Sequence, residues 1–144
     1  MICYIRDGML LCNYHNIYLL LIQEGTVNGI VALKTDGGDT FTSTISKEAV
    51  KELGLAPGKE AIAVIKATEV MIGLGEMKLS ARNQLAGEIV NVQEGAVNAI
   101  VTVKTDGGST LYATISMLGI KELGIAPGVK AKAVIKATSV MIAV

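Results

Sequence analysis

Aromatic residues are scarce in this sequence: they make up 3% of its 144 residues, and tryptophan is absent. Proteins that hold single-stranded nucleic acid stack the bases on aromatic side chains along a basic groove. The chain also has no excess of basic charge, because 13 Lys and Arg residues balance 13 Asp and Glu residues. We therefore expect no nucleic-acid partner and no attraction to an anionic membrane.

Histidine and cysteine are almost as rare. His15 is the single histidine, and Cys3 and Cys12 are the two cysteines. One histidine without an identifiable nucleophile and orienting acid gives no catalytic motif, so we predict that the protein is not an enzyme. The spacing of the three side chains matches no standard zinc pattern, so we predict a thiol pair and a strand histidine rather than a metal site.

The first 22 residues are apolar but lack the features of a targeting segment. Arg6 is their only basic residue, and Asp7 follows it directly. The polar residues 12–16 interrupt the apolar stretch, which makes it too broken to span a bilayer. No basic start or small-residue cleavage site is present, and two cysteines are too few for a secreted disulfide framework. These observations predict a cytoplasmic protein.

The sequence contains an internal repeat with an offset of 70 residues. Residues 23–72 align with residues 93–142 without a gap, and about two residues in three are identical. We therefore predict two domains, over residues 1–74 and 75–144. A core of this size stabilises an isolated domain by only a few kcal/mol, so association between domains or chains is expected.

Each copy has the pattern of a small β barrel. β-Branched and alternating apolar runs predict five strands in the second copy, at residues 87–92, 97–104, 110–115, 130–137 and 140–144. Ser116 is placed to cap a short helix over residues 117–123, which Gly124 and Pro127 end. Three strands, a helix and two strands is the order of an OB-type five-stranded Greek-key barrel. The predicted fold is therefore mainly β, with two such barrels.

Hydrogen-bond donors are concentrated at two places in the second copy. Ser80-Ala81-Arg82-Asn83 combines a hydroxyl, a guanidinium and an amide just before the first strand, and Lys136-Ala137-Thr138 lies between the last two strands. A tetrahedral divalent oxyanion needs many fixed donors and only partial neutralisation of its charge. These donors suit such an anion.

The residues also resemble a known family, the molybdate- and tungstate-binding Mop domains, or molbindins. The similarity covers residues 77–144 and, from Gln23 onward, most of the first copy. The motifs that carry it are Ser80-Ala81-Arg82-Asn83-Gln84-Leu85-Ala86-Gly87, Gly95-Ala96-Val97-Asn98-Ala99, Leu123-Gly124-Ile125 with Pro127-Gly128, and Ile135-Lys136-Ala137-Thr138-Ser139-Val140-Met141-Ile142.

The resemblance implies a protein that binds molybdate or tungstate, with no organic cofactor, at interfaces within a homo-oligomer. Tandem pairs of this kind resemble proteins that assemble as trimers of two-domain chains. The resemblance places Ser80, Arg82 and Asn83 opposite a lysine segment of a neighbouring domain. The two candidate lysine segments are Lys136, Ala137 and Thr138 in the second copy and Lys66, Ala67 and Thr68 in the first. The hydroxyls that follow the third strand of each copy, Ser116 and Ser46, are further candidate ligands.

Each candidate ligand also has a structural interpretation. Ser116 and Ser46 are well placed to cap helices. Lys136 and Lys66 are alternatively edge-strand lysines that favour solubility. For Arg82 the alternative is an ion pair across an interface, and for Asn83 it is a turn or bulge.

The first copy has lost its donor motif. The offset aligns Ser80, Ala81, Arg82 and Asn83 with Leu10, Leu11, Cys12 and Asn13, so that only the asparagine remains. The apolar segment 17–22 is expected to complete the barrel or to pack against another subunit. We therefore expect the first copy to contribute only the lysine half of a site.

Storage or homeostasis of molybdate for molybdenum-cofactor supply is the function that these features favour. The alternative is a molybdate-sensing regulatory module without its effector domain. Sulfate has the same charge and shape as molybdate, and cavity size, which decides between such anions, cannot be derived from the sequence.

Overall fold

A computed structural model describes residues 18–144 in full and, before them, the backbone of residues 2–6 and 9–13. Within these described residues, the first copy has seven strands and one helix. They are β1 (Ile2–Arg6), β2 (Met9–Asn13), β3 (Tyr18–Glu24), β4 (Asn28–Lys34), β5 (Thr40–Ser46), α1 (Lys47–Glu52), β6 (Ile62–Lys66) and β7 (Met71–Gly73). A one-turn 3₁₀ segment, Ala67–Glu69, separates β6 from β7; we name it the first crossover turn.

The second copy has the predicted order of elements. They are β8 (Asn83–Glu94), β9 (Asn98–Thr105), β10 (Thr110–Ser116), α2 (Met117–Leu123), β11 (Lys130–Ile135) and β12 (Met141–Ala143). The 3₁₀ segment Ala137–Ser139 between β11 and β12 is the second crossover turn. β8 begins four residues before the predicted strand start because Asn83 to Ala86 pair with β11.

Local sequence signals explain the turns and helix ends. Ser46 and Ser116 cap α1 and α2, accepting hydrogen bonds from the backbone N–H of Ala49 and Gly119. Gly124 ends α2 with a φ of 62°, a left-handed conformation that glycine adopts at little cost. The two copies therefore form the same meander of three antiparallel strands followed by a helix.

The last strand of each copy pairs with the other copy. β7 adds to β11 in a five-stranded sheet of order β10-β9-β8-β11-β7, while β12 adds to β6 in a sheet of order β1-β2-β6-β12. A third sheet has the order β3-β4-β5. We expected each copy to close its own barrel with its fifth strand, so this reciprocal exchange differs from that expectation. The proposed boundary between residues 74 and 75 remains a division of the repeat in sequence.

The exchange joins the two copies around a single buried core. Phe41 and Leu33 from the first copy belong to the same buried cluster as Ile89 and Leu111 from the second. The hairpin turns also meet, since a Cβ added to Gly37 would lie 1.8 Å from the carbonyl oxygen of Gly107. Only glycine permits so close an approach of two backbones.

The apolar segment that begins the first copy was expected to complete the barrel as a buried strand or to pack against another subunit, and its described part, β3, is mostly exposed. β3 pairs with β4, and Leu19 is buried. A bulge follows, and Leu20 and Leu21 are 50% and 58% exposed. In the part of the chain that is described, no helix is long and apolar enough to cross a membrane.

Candidate functional site

A cleft of about 440 Å³ lies where β8 begins and β11 ends. The antiparallel pairing of Asn83 with Ile135 brings the residues before β8 next to those after β11. The register of one strand pair thus places the two donor segments side by side. The cleft is lined by Leu79, Ser80, Ala81 and Arg82 on one wall, by Val134, Lys136, Ala137 and Thr138 on the other, and by Met71.

Five of the predicted site residues share this cleft. Ser80, Arg82, Lys136 and Thr138 are exposed, whereas Ala137 is buried. All five belong to the second copy, whereas the resemblance implied a lysine segment of a neighbouring domain opposite Ser80, so the choice of that neighbouring segment stays a prediction. Within one chain, the Ser80 segment faces the Lys136 segment rather than the Lys66 segment.

The charge in the cleft is positive. Arg82 and Lys136 contribute two cations, and none of the described residues that line the cleft is a carboxylate. The ion pairs among the described residues are Lys47 with Glu24 and Lys130 with Glu88, so neither cleft cation is neutralised by one of them. Lys130 is not among the residues that line this cleft, and its hydrogen bond to Glu88 raises its pKa. The cleft can therefore partly neutralise a dianion.

Asn83 directly follows Arg82 in the chain but is not among the residues that line the cleft. The side chain is 2% exposed. Its Nδ2 donates to the carbonyl oxygen of Thr42 over 2.8 Å, and its Oδ1 accepts from the N–H of Thr42 over 2.7 Å. Both ends of the amide thus bind β5 of the first copy, a contact that neither the ligand nor the turn interpretation anticipated.

Ser46 and Ser116 lie at the starts of the two helices, outside the cleft. Each hydroxyl accepts from a backbone N–H, over 3.1 Å from Ala49 and 3.0 Å from Gly119. The helix-cap interpretation describes these hydrogen bonds. Contact of either serine with an oxyanion stays a prediction.

The lysine segment of the first copy lies in a second, smaller cleft of about 270 Å³. This cleft is lined by Lys66, Glu69, Thr138, Ser139 and Met141. Glu69 accepts a hydrogen bond of 3.0 Å from the hydroxyl of Ser139. Lys66 therefore has a carboxylate in its cleft, whereas the described residues give Lys136 none.

Sequence reasoning did not identify Glu69, although the repeat contains the signal. Residues 64–68 and 134–138 are identical, and the next position holds Glu69 in one copy and Ser139 in the other. Sequence reasoning also did not identify Ser43, although the repeat shows a difference there, with Ala113 at the equivalent position. The buried hydroxyl of Ser43 donates to the carbonyl oxygen of Val140.

Strand β2 occupies the place in the first copy that the start of β8 occupies in the second. Leu10 pairs with Ile65, whereas in the second copy Asn83 pairs with Ile135. The sequence offset had aligned Asn13 with Asn83, so the surviving asparagine is not at the equivalent ladder position. The first copy therefore has a leucine, and no hydrogen-bonding side chain, at the ladder position of Asn83.

The predicted absence of a metal site concerns residues near the N-terminus. His15 lies outside the described residues, and the strands that contain Cys3 and Cys12 are described by their backbone, which pairs the two positions. Among the fully described residues, no three His, Cys, Asp or Glu side chains cluster as metal ligands.

Comparison with known proteins identifies the family. The TOBE domain family matches residues 20–72 and again residues 79–142. Molybdenum transport protein ModE of Azotobacter vinelandii is 37% identical over 124 residues, which is 85% of this chain and 46% of that protein. A probable molybdenum-pterin-binding protein of Haemophilus influenzae is 52% identical over 68 residues, 47% of this chain and 99% of that protein.

A solved structure extends the similarity to nearly the whole chain. The cytoplasmic molybdate-binding protein ModG, in a form with molybdate bound, is 36% identical with a TM-score of 0.84. The match covers 92% of this chain and 98% of ModG, and it confirms the predicted mainly β, OB-like fold. This chain spans less than half the length of ModE. The names of these relatives are those of binding and transport proteins, in agreement with the prediction that the chain is not an enzyme. The chain belongs to the TOBE domain family, as a tandem pair of Mop-type domains.

Proposed function

We propose that this protein binds molybdate or tungstate in the cleft between the Ser80 and Lys136 segments and serves as a cytoplasmic store of the oxyanion. The observation that carries the proposal is the convergence of Ser80, Arg82, Lys136 and Thr138 in a cleft that no carboxylate lines within the described part of the chain. The similarity to ModG, whose crystal structure holds molybdate, supports the choice of anion.

The donors fit the chemistry of a tetrahedral dianion. The guanidinium of Arg82 and the ammonium of Lys136 offer charge-assisted hydrogen bonds, each of which contributes about 1.5–3 kcal/mol. The hydroxyls of Ser80 and Thr138 add neutral donors that can rotate toward the anion's oxygen atoms. No bond in the anion has to break, so binding and release complete the function.

We further propose that the binding-competent form is a homo-oligomer, a trimer of two-domain chains. All four polar donors of the cleft are exposed in the single chain, where water competes for them and screens their charge. A neighbouring chain over the cleft would exclude that water. Exposed valines at equivalent positions in both copies, Val27 at 71% and Val97 at 73%, provide apolar surface for such contacts.

Titration calorimetry with molybdate, tungstate and sulfate tests the anion-binding proposal. We expect heat with molybdate or tungstate at micromolar or lower concentration and weaker binding of sulfate. The absence of heat with both metal oxyanions would refute a storage function. Light scattering with size-exclusion chromatography tests the trimer independently, and a monomer at all concentrations would contradict that part of the proposal.

A sensing role is a second candidate. It rests on the similarity to ModE, of which this chain covers 46%. Both roles use the same cleft and differ in what responds to the bound anion. A binding partner that associates only with the molybdate-loaded protein would favour sensing over storage.

A further inference from the structure

The two walls of the Ser80 cleft are both attached to strand β5 of the first copy. The Ser80 wall continues into Asn83, whose side-chain amide forms two hydrogen bonds with the backbone of Thr42. The Lys136 wall continues through the second crossover turn to Val140, whose carbonyl oxygen accepts from the hydroxyl of Ser43. Adjacent residues of one strand thus hold both sides of the cleft.

The contacts to β5 are protected from water. Ser43 is fully buried, Val140 is 1% exposed and Asn83 is 2% exposed. A buried carbonyl oxygen that loses its donor keeps the cost of desolvation, so the backbone at Val140 would shift to find another partner. A shift there moves the second crossover turn, whose residues Ala137 and Thr138 line the cleft.

The hydroxyl contact of Ser43 has no equivalent on the other side of the repeat. The position equivalent to Ser43 is Ala113, which has no hydroxyl to offer Val70, the counterpart of Val140. The first copy also lacks the donor motif that would need holding on that side. The buried hydroxyl of Ser43 thus contacts the copy that carries the full set of anion donors.

We infer that Ser43 is a positioning residue for oxyanion binding, and that the first copy sets the geometry of a cleft formed by the second. The inference rests on the proposed function of that cleft. Binding groups work when their supporting contacts hold them within a fraction of an ångström of the productive geometry. The first copy contributes that support although its own donors are missing.

A second contact from the first copy reaches the same wall. The carboxylate of Glu69 accepts from the hydroxyl of Ser139 over 3.0 Å. Ser139 lies in the second crossover turn, next to Thr138. Glu69 is exposed, so its replacement leaves the core intact and provides an independent variant if substitution of Ser43 prevents folding.

The test compares molybdate titrations of the full-length wild type, Ser43→Ala and Thr44→Ala. Ser43→Ala gives β5 the residue that the second copy has at this position. Thr44→Ala removes a neighbouring hydroxyl that, among the described residues, forms no hydrogen bond with the second copy. We expect Ser43→Ala to weaken binding about five- to tenfold, with unchanged stoichiometry, and Thr44→Ala to bind like the wild type. Equal affinities for all three proteins would overturn the inference.

Hydrogen exchange on the anion-free protein separates this inference from the proposed function. The second crossover turn is closed by hydrogen bonds from the N–H of Ser139 to Lys136 and from the N–H of Val140 to Ala137, at 2.9 and 3.4 Å. We expect faster exchange of these amides in Ser43→Ala but not in Thr44→Ala. If the wild type binds no molybdate, the proposed function is refuted. Independently of that titration, unchanged exchange in Ser43→Ala would refute the attachment of the second crossover turn to β5.

Glu69→Gln and Glu69→Ala provide the backup comparison. Both remove the same charge, but only glutamine keeps an acceptor for the hydroxyl of Ser139. We expect the alanine variant to bind molybdate about twofold more weakly than the glutamine variant, because a solvent-exposed hydrogen bond contributes little. Equal binding by the two would contradict a supporting role of the first copy at this point.

Discussion

The two copies agree in about two residues of three from Gln23 onward, yet only one of them presents a full set of anion donors. The shared residues are those of the strands, turns and core, which both copies need for the same fold. Three of the differences lie at or near the clefts: the Ser80 motif against β2, Ser139 against Glu69, and Ala113 against Ser43. Under the proposed function, one copy of the duplicated fold carries the donors and the other supports them.

The largest expected effect comes from the guanidinium that only the second copy has. Arg82→Ala removes a cation and its hydrogen bonds from the cleft, and should weaken molybdate binding by roughly 10- to 150-fold. Lys104→Ala, on an exposed position outside the cleft, is the matched control and should bind normally. Titration calorimetry measures both, and a similar small loss in the two variants would move the site away from the Ser80 cleft.

The two lysines at equivalent positions provide a direct comparison of the copies. Lys136→Ala should weaken binding by about tenfold, because it removes the second cation of the cleft. Lys66→Ala should have an effect of about twofold or less, since Glu69 shares its cleft and the Ser80 motif does not. Equal losses would show that Lys66 also faces a donor motif, one supplied by a neighbouring chain.

The smallest effect is expected from the threonines that follow these lysines. Thr138→Val keeps the shape but removes a neutral hydroxyl from the cleft, and should weaken binding by about two- to fivefold. Thr68→Val, its counterpart in the first copy, should leave the affinity within experimental error because Thr68 lines neither of these two clefts. A loss in Thr68→Val as large as that in Thr138→Val would mean that both crossover turns bind anion.

Much of the fold was predictable because its signals are local. Turn residues such as Gly107 and Gly108, the cap Ser116 and the alternation of apolar residues each act over a few positions. α2 accordingly has the predicted bounds, Met117–Leu123. The strand exchange was not predictable, since Val70-Met71-Ile72 and Val140-Met141-Ile142 are identical. Apolar strands of the same sequence fit either sheet, so the pattern does not specify which one they join.

The candidate site shows the same division between local and long-range information. Ser80, Arg82, Lys136, Ala137 and Thr138 were predicted from donor chemistry and family resemblance, and the structure brings them together. The side chain of Asn83 instead binds the backbone of Thr42, a contact across 41 positions of the chain. No sequence pattern reports a hydrogen bond to the backbone of a distant strand. Ser43 and Glu69 depend on similar contacts between the copies.

The number of oxyanions bound per chain tests the division between the copies most directly. Native mass spectrometry of the molybdate-saturated oligomer counts bound molybdenum, with Arg82→Ala as the control that removes the donor motif. The account predicts one molybdate for each chain in the wild type and its loss in Arg82→Ala. Two molybdates for each chain, or an unchanged count in Arg82→Ala, would contradict it.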